Sequence, residues 1–381
     1  MCQCSQTRTS AIRPPYARYQ SVVAAESSQV RNRVFGLKGA EQAPVANVIE
    51  NFAEAVAALK NSGLSSGRTD AQIAPWEAET GVTLVALREF HAAWLMYMDG
   101  GAHNAVRARV ISILSKTGSV TEPWLVDEWA PLVSSGELNS ASLRSAIDEW
   151  HRRYLGLSAH QHRQLFQWSA PILDFFFQDR IDLVGGCEAL ERWVQDCQDW
   201  FLHERFDDEG LMGRLRLGDV PIGTCINVAM DSYEPLLHAI GSAIFFTAAR
   251  PSEVADLSPG AVAAEVLRLA PPFRFINRID VDPLGKHRKT TIDLFAVHRD
   301  AQTFPRPGLM LDNRAVHLSF GYGRHACPGA RHALEVLETI CSEMKVLAAA
   351  RRCRLVSGEL STEAGYCRVT GLCVRIGSGL T

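Results

Sequence analysis

Residues 320–329 (FGYGRHACPG) combine one cysteine with several glycines, directly before a stretch that the sequence predicts to be helical over 330–344. A thiolate of Cys327 would lie near a helix N-terminus, where backbone N–H groups and the helix dipole stabilise negative charge. The glycines allow positive φ angles and a close approach of the backbone to a flat ligand. These features suit a cysteine that holds a soft metal from one side, as an axial thiolate holds haem iron.

The segment resembles the cysteine-ligand loop of the cytochrome P-450 family, F-x-x-G-x-[RH]-x-C-x-G, and matches every fixed position. The resemblance implies that Cys327 is the axial ligand of haem b (iron protoporphyrin IX). It also implies that Phe320 and Gly329 bind the cofactor and that His325 contacts a haem propionate. The implied fold is mainly α with small β-sheets (α+β), a triangular prism with haem buried between a long central helix and the cysteine loop.

Residues 98–107 (MDGGAHNAVR) resemble the family's M-D-P-P-x-H-x-x-x-R helix, with glycines in place of the prolines. His103 and Arg107 are one helical turn apart and share a face. The resemblance implies that this face meets a haem propionate, whose carboxylate geometry suits a guanidinium. Taken alone, the pair would more simply belong to a solvated basic face with Arg109, but its position ahead of the cysteine loop favours haem binding.

Three further basic positions follow the family pattern. Glu265 and Arg268 match its E-x-x-R, and Arg314 would complete a buried structural triad with them. An i,i+3 acid–base pair is common on helix surfaces, so this match gains its meaning from the two prolines and the β-type sequence that follow. Arg278 falls where bacterial members carry a propionate-binding arginine.

The segment that aligns with the family's A-G-x-[DE]-T-T, residues 231–236 (DSYEPL), departs from the pattern. Glu234 takes the acid position, but Pro235 replaces the threonine and offers neither a hydroxyl nor an N–H. In ordinary monooxygenases of the family the acid and the threonine deliver protons, and a positioned proton donor contributes about 10²–10⁴ in rate. We expect Pro235 to kink the long central helix, and Asp231 and Ser232 to crowd the groove that admits oxygen.

Three interpretations of this departure stay open. Substrate groups or ordered water supply the protons, with help from Glu234, Ser232 or His238. Alternatively, the enzyme needs no relay because its oxidant or substrate already carries an O–O or N–O bond, as in a peroxygenase, a dehydratase or a rearrangement enzyme. In the third interpretation the alignment is shifted by a few residues.

The composition favours a soluble globular protein. The chain has 381 residues, 47% of them hydrophobic and 21% charged, with a formal charge of -3, so no basic excess indicates a nucleic-acid partner. It has no apolar run of about 18 residues that would span a membrane, and its first residues lack the apolar core of a signal peptide. Ten scattered cysteines are typical of reduced thiols, so we expect a cytoplasmic protein.

Apolar spacing predicts a helix over 45–64, further helices within 77–116 and 140–206, and β-structure over 273–279 and 290–297. The sequence has no internal repeat and no low-complexity linker. We therefore expect a flexible segment over 1–30 and a single domain over 31–381.

The resemblance implies a haem-thiolate oxidoreductase, most simply a tailoring monooxygenase of natural product biosynthesis that acts on a small organic molecule. Ferredoxin and ferredoxin reductase would supply electrons if it uses dioxygen. Arg274 would pair with a substrate carboxylate beside Phe273 and Phe275. A haem-binding protein without turnover is a further alternative, whereas a zinc site is disfavoured because only His325 lies near Cys327 in sequence.

Overall fold

Helices and two small sheets build the chain in a computed structural model, as the predicted α+β class requires. The structure describes residues 47–67, 69–117, 124–178, 183–281, 287–311, 317–362 and 365–377, and they belong to a unit that begins at Val45. The predicted segment 1–30 lies outside the described residues. Within these ranges no helix is both long and apolar enough to cross a membrane.

Fifteen α-helices occur in the described residues, besides a π-helical stretch at Trp124–Trp129 and a 3₁₀ turn at Gly323–His325. The α-helices are α1 Phe52–Lys60, α2 Thr69–Thr80, α3 Val85–Ala92, α4 Gly100–Lys116, α5 Ala130–Ser134, α6 Ser140–Leu155, α7 Ala159–Gln178, α8 Leu183–His203, α9 Leu211–Leu217, α10 Ile222–Asp231, α11 Glu234–Ala249, α12 Pro251–Val254, α13 Pro259–Leu269, α14 Leu294–Val297 and α15 Ala330–Ala349.

Each sheet has three strands among the described residues. The first sheet has the order β1 (Asn47–Ile49), β4 (His287–Asp293), β3 (Phe275–Val281), with β1 parallel to β4 and β3 antiparallel to it. The second has the order β2 (Glu137–Asn139), β6 (Arg368–Ile376), β5 (Cys353–Ser361), all antiparallel.

The helix predicted over 45–64 is wrong at both ends. Residues Asn47–Ile49 form β1, because they pair with Thr290–Ile292 from the far end of the chain, and the helix begins only at Phe52. Asn51 caps that helix by accepting a hydrogen bond from the Glu54 N–H, which satisfies one of its free donors. Tertiary pairing has overridden the local apolar spacing.

The β-structure predicted over 290–297 ends at Asp293, four residues early. The Asp293 carboxylate accepts hydrogen bonds from the N–H groups of Phe295 and Ala296 and so starts the short helix α14. An aspartate at this position favours a helix start over continuation of the strand. The same carboxylate pairs with Arg274 at 2.9 Å, so the prediction that Arg274 receives a substrate carboxylate is wrong.

The predicted long central helix is divided into α10 and α11 by Ser232 and Tyr233. Pro235 therefore does not kink a continuous helix, as we expected, but lies in the first turn of α11. There its missing N–H removes no intrahelical hydrogen bond, and its fixed φ suits a helix start. Across the break, the side chains of residues 232–234 reach α6, whereas Asp231 bonds to Asn227 on its own helix.

Close packing fixes α10 against α3. A Cβ on Gly223 would lie 2.8 Å from the Ala93 Cβ and 3.0 Å from the Phe90 carbonyl oxygen, so only glycine permits this approach. Further along α10, Ile226 and Met230 are buried in the large core that also contains Phe90. Burial of this face determines where the helix ends at Asp231.

A buried ion pair connects α13 to the cysteine loop. Glu265 and Arg268 are 2.8 Å apart, and both side chains are only 1% exposed. Arg268 also donates to the carbonyl groups of His298, Pro307 and Leu309. These bonds satisfy all five guanidinium donors, which is the condition for burying this charge without a large penalty. Arg314, predicted as the third member, lies outside the described residues.

The region around that pair reaches the cysteine loop through two hydrogen bonds. The Leu318 N–H donates to the buried ring of His298 at 2.8 Å, and the Ser319 hydroxyl donates to the Leu267 carbonyl at 2.6 Å. The chain therefore enters the loop from a fixed position on α13.

We predict that Glu265→Gln lowers the free energy of unfolding by about 3–5 kcal/mol, because it leaves the Arg268 charge buried and uncompensated. The control is Glu188→Gln, which removes an exposed partner of Arg192 and should change stability by less than about 1 kcal/mol. Denaturant unfolding measures both. Equal effects of the two substitutions would contradict the structural role of Glu265.

Candidate functional site

The cysteine loop is a closed turn that ends at the first residue of α15. Gly321 and Gly323 both have φ of +69°, a conformation that other residues rarely adopt, and a Cβ on Gly321 would lie 3.1 Å from the His325 carbonyl oxygen. The Cys327 N–H donates to the Phe320 carbonyl at 2.7 Å and closes the loop. The loop thus presents Cys327 just ahead of Ala330, where α15 begins.

The Cys327 side chain is exposed in the structure, yet burial is the main influence on its thiol and raises its pKa. The thiol is thus accessible to a ligand, although many protein atoms lie around it. The N–H groups of Gly329 and Ala330 and the charge of Arg107 oppose burial and favour the thiolate, whereas Asp231 disfavours it. The sulfur is therefore poised for a positive partner such as a metal ion.

Two predicted histidines meet beside the loop. The rings of His103 on α4 and His325 are 4.3 Å apart, and His325 Nε2 lies 3.2 Å from an Asp99 carboxylate oxygen. Asp99 in turn accepts hydrogen bonds from the backbone N–H groups of Ser66 and Gly67, so it anchors the histidine to the turn before α2. The Nδ1 atoms of both histidines are buried and have no hydrogen-bond partner.

Two predicted arginines carry positive charge to the same region. Arg107 interacts electrostatically with Cys327, and Arg278 on β3, only 7% exposed, interacts with His325. Burial, together with Arg278 and His103, lowers the pKa of His325 to about 4. Burial and then Arg107 lower the pKa of His103. The two guanidinium groups beside these neutral rings form a site for anionic carboxylates.

These residues fit a haem. The accessible Cys327 sulfur supplies an axial ligand, and the guanidinium groups of Arg107 and Arg278 suit the propionate carboxylates. No group of three or more histidine, cysteine or acidic side chains that could hold a metal ion occurs in the part of the chain that the structure describes.

Asp231 is the acid that belongs to the Cys327 side of the helix break. Its charge interacts with that of Cys327, and its carboxylate accepts a 2.7 Å hydrogen bond from the Asn227 amide on the same helix. Burial raises the pKa of Asp231 to about 7, although the Asn227 bond works in the opposite direction. A carboxyl group with this pKa is partly protonated at neutral pH and can donate a proton.

The next side chains, at 232–234, all bind α6. Ser232 Oγ lies 2.9 Å from His151 Nε2, and the Tyr233 hydroxyl donates to Asp148. Glu234 lies 3.1 Å from Arg144.

Glu234 also pairs with His238, at 3.2 Å on the next turn of α11. Burial opposes ionisation of Glu234, but hydrogen bonds from His238 and Arg144 outweigh it and lower the pKa to about 2. Glu234 is therefore a carboxylate at neutral pH.

The structure divides the predicted site residues into two groups. The first is connected to the cysteine loop, through contacts with Cys327 or with His325, and consists of His103, Arg107, Arg278, Phe320, His325, Cys327 and Gly329. The second, Ser232, Glu234, Pro235 and His238, lies at the helix break, and its polar members bind α6 or each other. Asp231 was predicted only to crowd the groove, and its raised pKa was not predicted, because its position directly before the helix break cannot be read from the sequence.

Comparison with known proteins gives one match among curated sequences. No family model matches the chain. The biotin biosynthesis cytochrome P-450 of Bacillus subtilis (strain 168) is 24% identical over 201 residues. That match spans 46% of this chain and 51% of the relative, so it covers about half the length of each.

Solved structures resemble the chain over nearly its whole length. The cytochrome P-450 BioI, in complex with hexadec-9Z-enoic acid ligated acyl carrier protein, gives a TM-score of 0.70 at 17% identity, covering 95% of this chain and 98% of that one. The cytochrome P-450 PksS of the Bacillus subtilis 168 bacillaene polyketide synthase gives 0.68 at 14% identity, covering 96% and 100%. The chain therefore has the cytochrome P-450 fold.

Proposed function

We propose that the chain is a haem-thiolate oxidoreductase of natural product biosynthesis that oxidises a small organic molecule. The observation that carries the proposal is the Cys327 thiol, accessible just ahead of a helix N-terminus, with Arg107 in electrostatic range. Cys327 would bind the iron, and Arg107, Arg278 and the two histidines would hold the propionates. A haem bound there supplies redox chemistry at its iron, with electron donation from the sulfur.

Asp231 acts as the proton donor on the substrate side of this site. It lies in electrostatic range of Cys327, and its pKa of about 7 matches the working range of a general acid. This role replaces the hydroxyl that Pro235 lacks. Glu234 holds the start of α11 against α6 through Arg144, and its ionised carboxylate stabilises the positive charge there.

The printed names of the relatives support a biosynthetic role. One acts in biotin biosynthesis, one was solved with an acyl-loaded carrier protein, and one belongs to a polyketide synthase. By analogy, the substrate of this chain is a small organic acid or an acyl group, either free or attached to a carrier protein.

A second candidate function is oxidation or rearrangement without dioxygen. The absence of a hydroxyl at Pro235 and the ionised state of Glu234 favour it. In this form the oxidant is a peroxide, or the substrate contains an N–O or O–O bond. The raised pKa of Asp231 favours the dioxygen-dependent form, because that reaction consumes protons.

Two reactions of the haem-loaded protein separate the candidates. One contains ferredoxin, ferredoxin reductase and NADPH, and the other contains hydrogen peroxide alone. Candidate acyl substrates are offered free and on a carrier protein, and products are identified by mass spectrometry. We expect product with the ferredoxin system under air. Product with peroxide alone would support the second candidate, and no product from any donor would support a haem-binding protein without turnover.

We predict that Asp231→Asn lowers the fraction of electrons recovered in product by about 10²-fold and releases the remainder as peroxide. In the unsubstituted protein this fraction should fall as the pH rises through about 7, because the carboxyl group loses the proton that it donates. The variant should lose that pH dependence.

Asp208→Asn is the matched control, because it makes the same substitution at an aspartate that is exposed to solvent. Product and peroxide are both quantified against NADPH consumed. If Glu234→Gln lowers the fraction of electrons recovered in product more than Asp231→Asn does, Glu234 and not Asp231 is the proton donor.

A further inference from the structure

Two buried histidines, His151 on α6 and His162 on α7, form a line of polar contacts that starts at the break between α10 and α11. His162 Nε2 on α7 lies 3.2 Å from His151 Nδ1 on α6, and His151 Nε2 lies 2.9 Å from Ser232 Oγ. His151 is fully buried, and His162 is 8% exposed. The three side chains form a continuous polar chain through an otherwise aromatic layer, in which the rings of Phe166 and Tyr233 lie within 6 Å of His151.

The outer end of this chain opens to solvent. His162 lines a surface cavity of about 410 Å³, whose wall also contains Asp148, Glu149 and Arg163. Burial lowers the pKa of His162, and the charge of Arg152 in the cavity wall acts in the same direction, whereas Asp148 and Glu149 oppose the shift. The cavity thus provides acidic groups beside an imidazole at the protein surface.

The hydrogen bonds in the chain have one consistent direction. The Ser232 hydroxyl donates to the Ala229 carbonyl, which can only accept, so Ser232 Oγ is left to accept from His151. His151 Nε2 therefore carries its hydrogen, and His151 Nδ1 accepts. His162 Nε2 must then be the donor to His151. Every hydrogen points from the surface cavity towards the helix break.

We propose that His162, His151 and Ser232 form a proton path from the surface cavity to the haem side of the α10–α11 break. The inference rests on the proposed function and deepens it, because it names a source for the protons that the proposed reaction consumes. It replaces a relay through a threonine that this chain lacks.

The transfer is balanced at each step. A proton from solvent binds His162 Nδ1, and the N–H bond at His162 Nε2 breaks as one forms at His151 Nδ1. The N–H bond at His151 Nε2 then breaks as one forms at Ser232 Oγ, and the original Ser232 proton passes to a water molecule or substrate group at the helix break when the hydroxyl rotates away from Ala229. One proton enters and one leaves, so the net charge of the three side chains is unchanged.

The burial and charges around His151 favour transfer of a proton through its ring over a lasting positive charge on it. Burial lowers the pKa of His151 to about 3, and His162 disfavours a charge there as well. A neutral imidazole both accepts and donates, so it can pass a proton while a lasting positive charge on it is excluded.

The path is tested by hydrogen exchange at the His151 ring in the holoprotein. Histidine labelled with ¹⁵N is observed in the reduced, carbon monoxide-treated protein, which is diamagnetic, and exchange of the Nε2 hydrogen with deuterated water is timed. We expect the neutral Nε2–H form of both rings. We also expect His162→Leu to slow exchange at His151 by about tenfold or more, because a buried N–H otherwise exchanges only through local opening.

His160→Leu is the control, because it removes an exposed histidine from the same helix and should leave the exchange rate unchanged. His162→Gln serves in place of His162→Leu if the latter loses its haem. An unchanged rate at His151 in the His162 variant, or an Nδ1–H form of His151, would overturn the path. A retained thiolate spectrum in that sample would show that the proposed haem function survives this failure.

Discussion

The site depends on how the charge of one sulfur atom, that of Cys327, is stabilised by the rest of the structure. Burial opposes its negative charge, whereas two backbone N–H groups at the start of α15 and the Arg107 guanidinium favour it. A buried anion needs such partners or a metal ion. The fold supplies the partners from separate elements, so the site exists only when α4, the cysteine loop and α15 are assembled.

Buried polar contacts hold these elements in place. The Glu265–Arg268 pair connects α13 to the segment that contains His298, and His298 accepts the Leu318 N–H at the entry to the cysteine loop. On the other side, Asp99 connects His325 to the turn before α2. Each of these groups is costly to leave unpaired, which makes the loop conformation a property of the whole chain.

The break between α10 and α11 separates two carboxyl groups that are three residues apart. Asp231 has few compensating contacts and is close to neutral, whereas Glu234 is ionised between Arg144 and His238. A continuous helix would have placed both on related faces. The break instead divides the roles, with a proton donor near the sulfur and a structural anion at α6. Ser232, between them, bonds to the histidine pair and so connects the two sides.

The sequence was most informative where function depends on a short local motif. The cysteine loop, the His103–Arg107 helix and the Glu265–Arg268 pair could be identified because each lies within ten residues. Features that depend on distant residues could not be predicted. Strand β1 forms through pairing with residues more than two hundred positions away, and the His151–Ser232 bond joins residues 81 positions apart. The side-chain directions at 231–234 depend on a helix break at Ser232 and Tyr233. The sequence predicted a kink at Pro235 instead, so these directions could not be foreseen.

The most direct test of the account is the absorption spectrum of the reduced, carbon monoxide-treated protein after reconstitution with hemin. We expect the red-shifted Soret band of a thiolate-ligated haem, its loss in Cys327→Ser, and its retention in Cys353→Ser, which alters a half-buried cysteine at the start of β5. A protein that binds no haem, or a Cys327→Ser variant with an unchanged spectrum, would contradict the central claim.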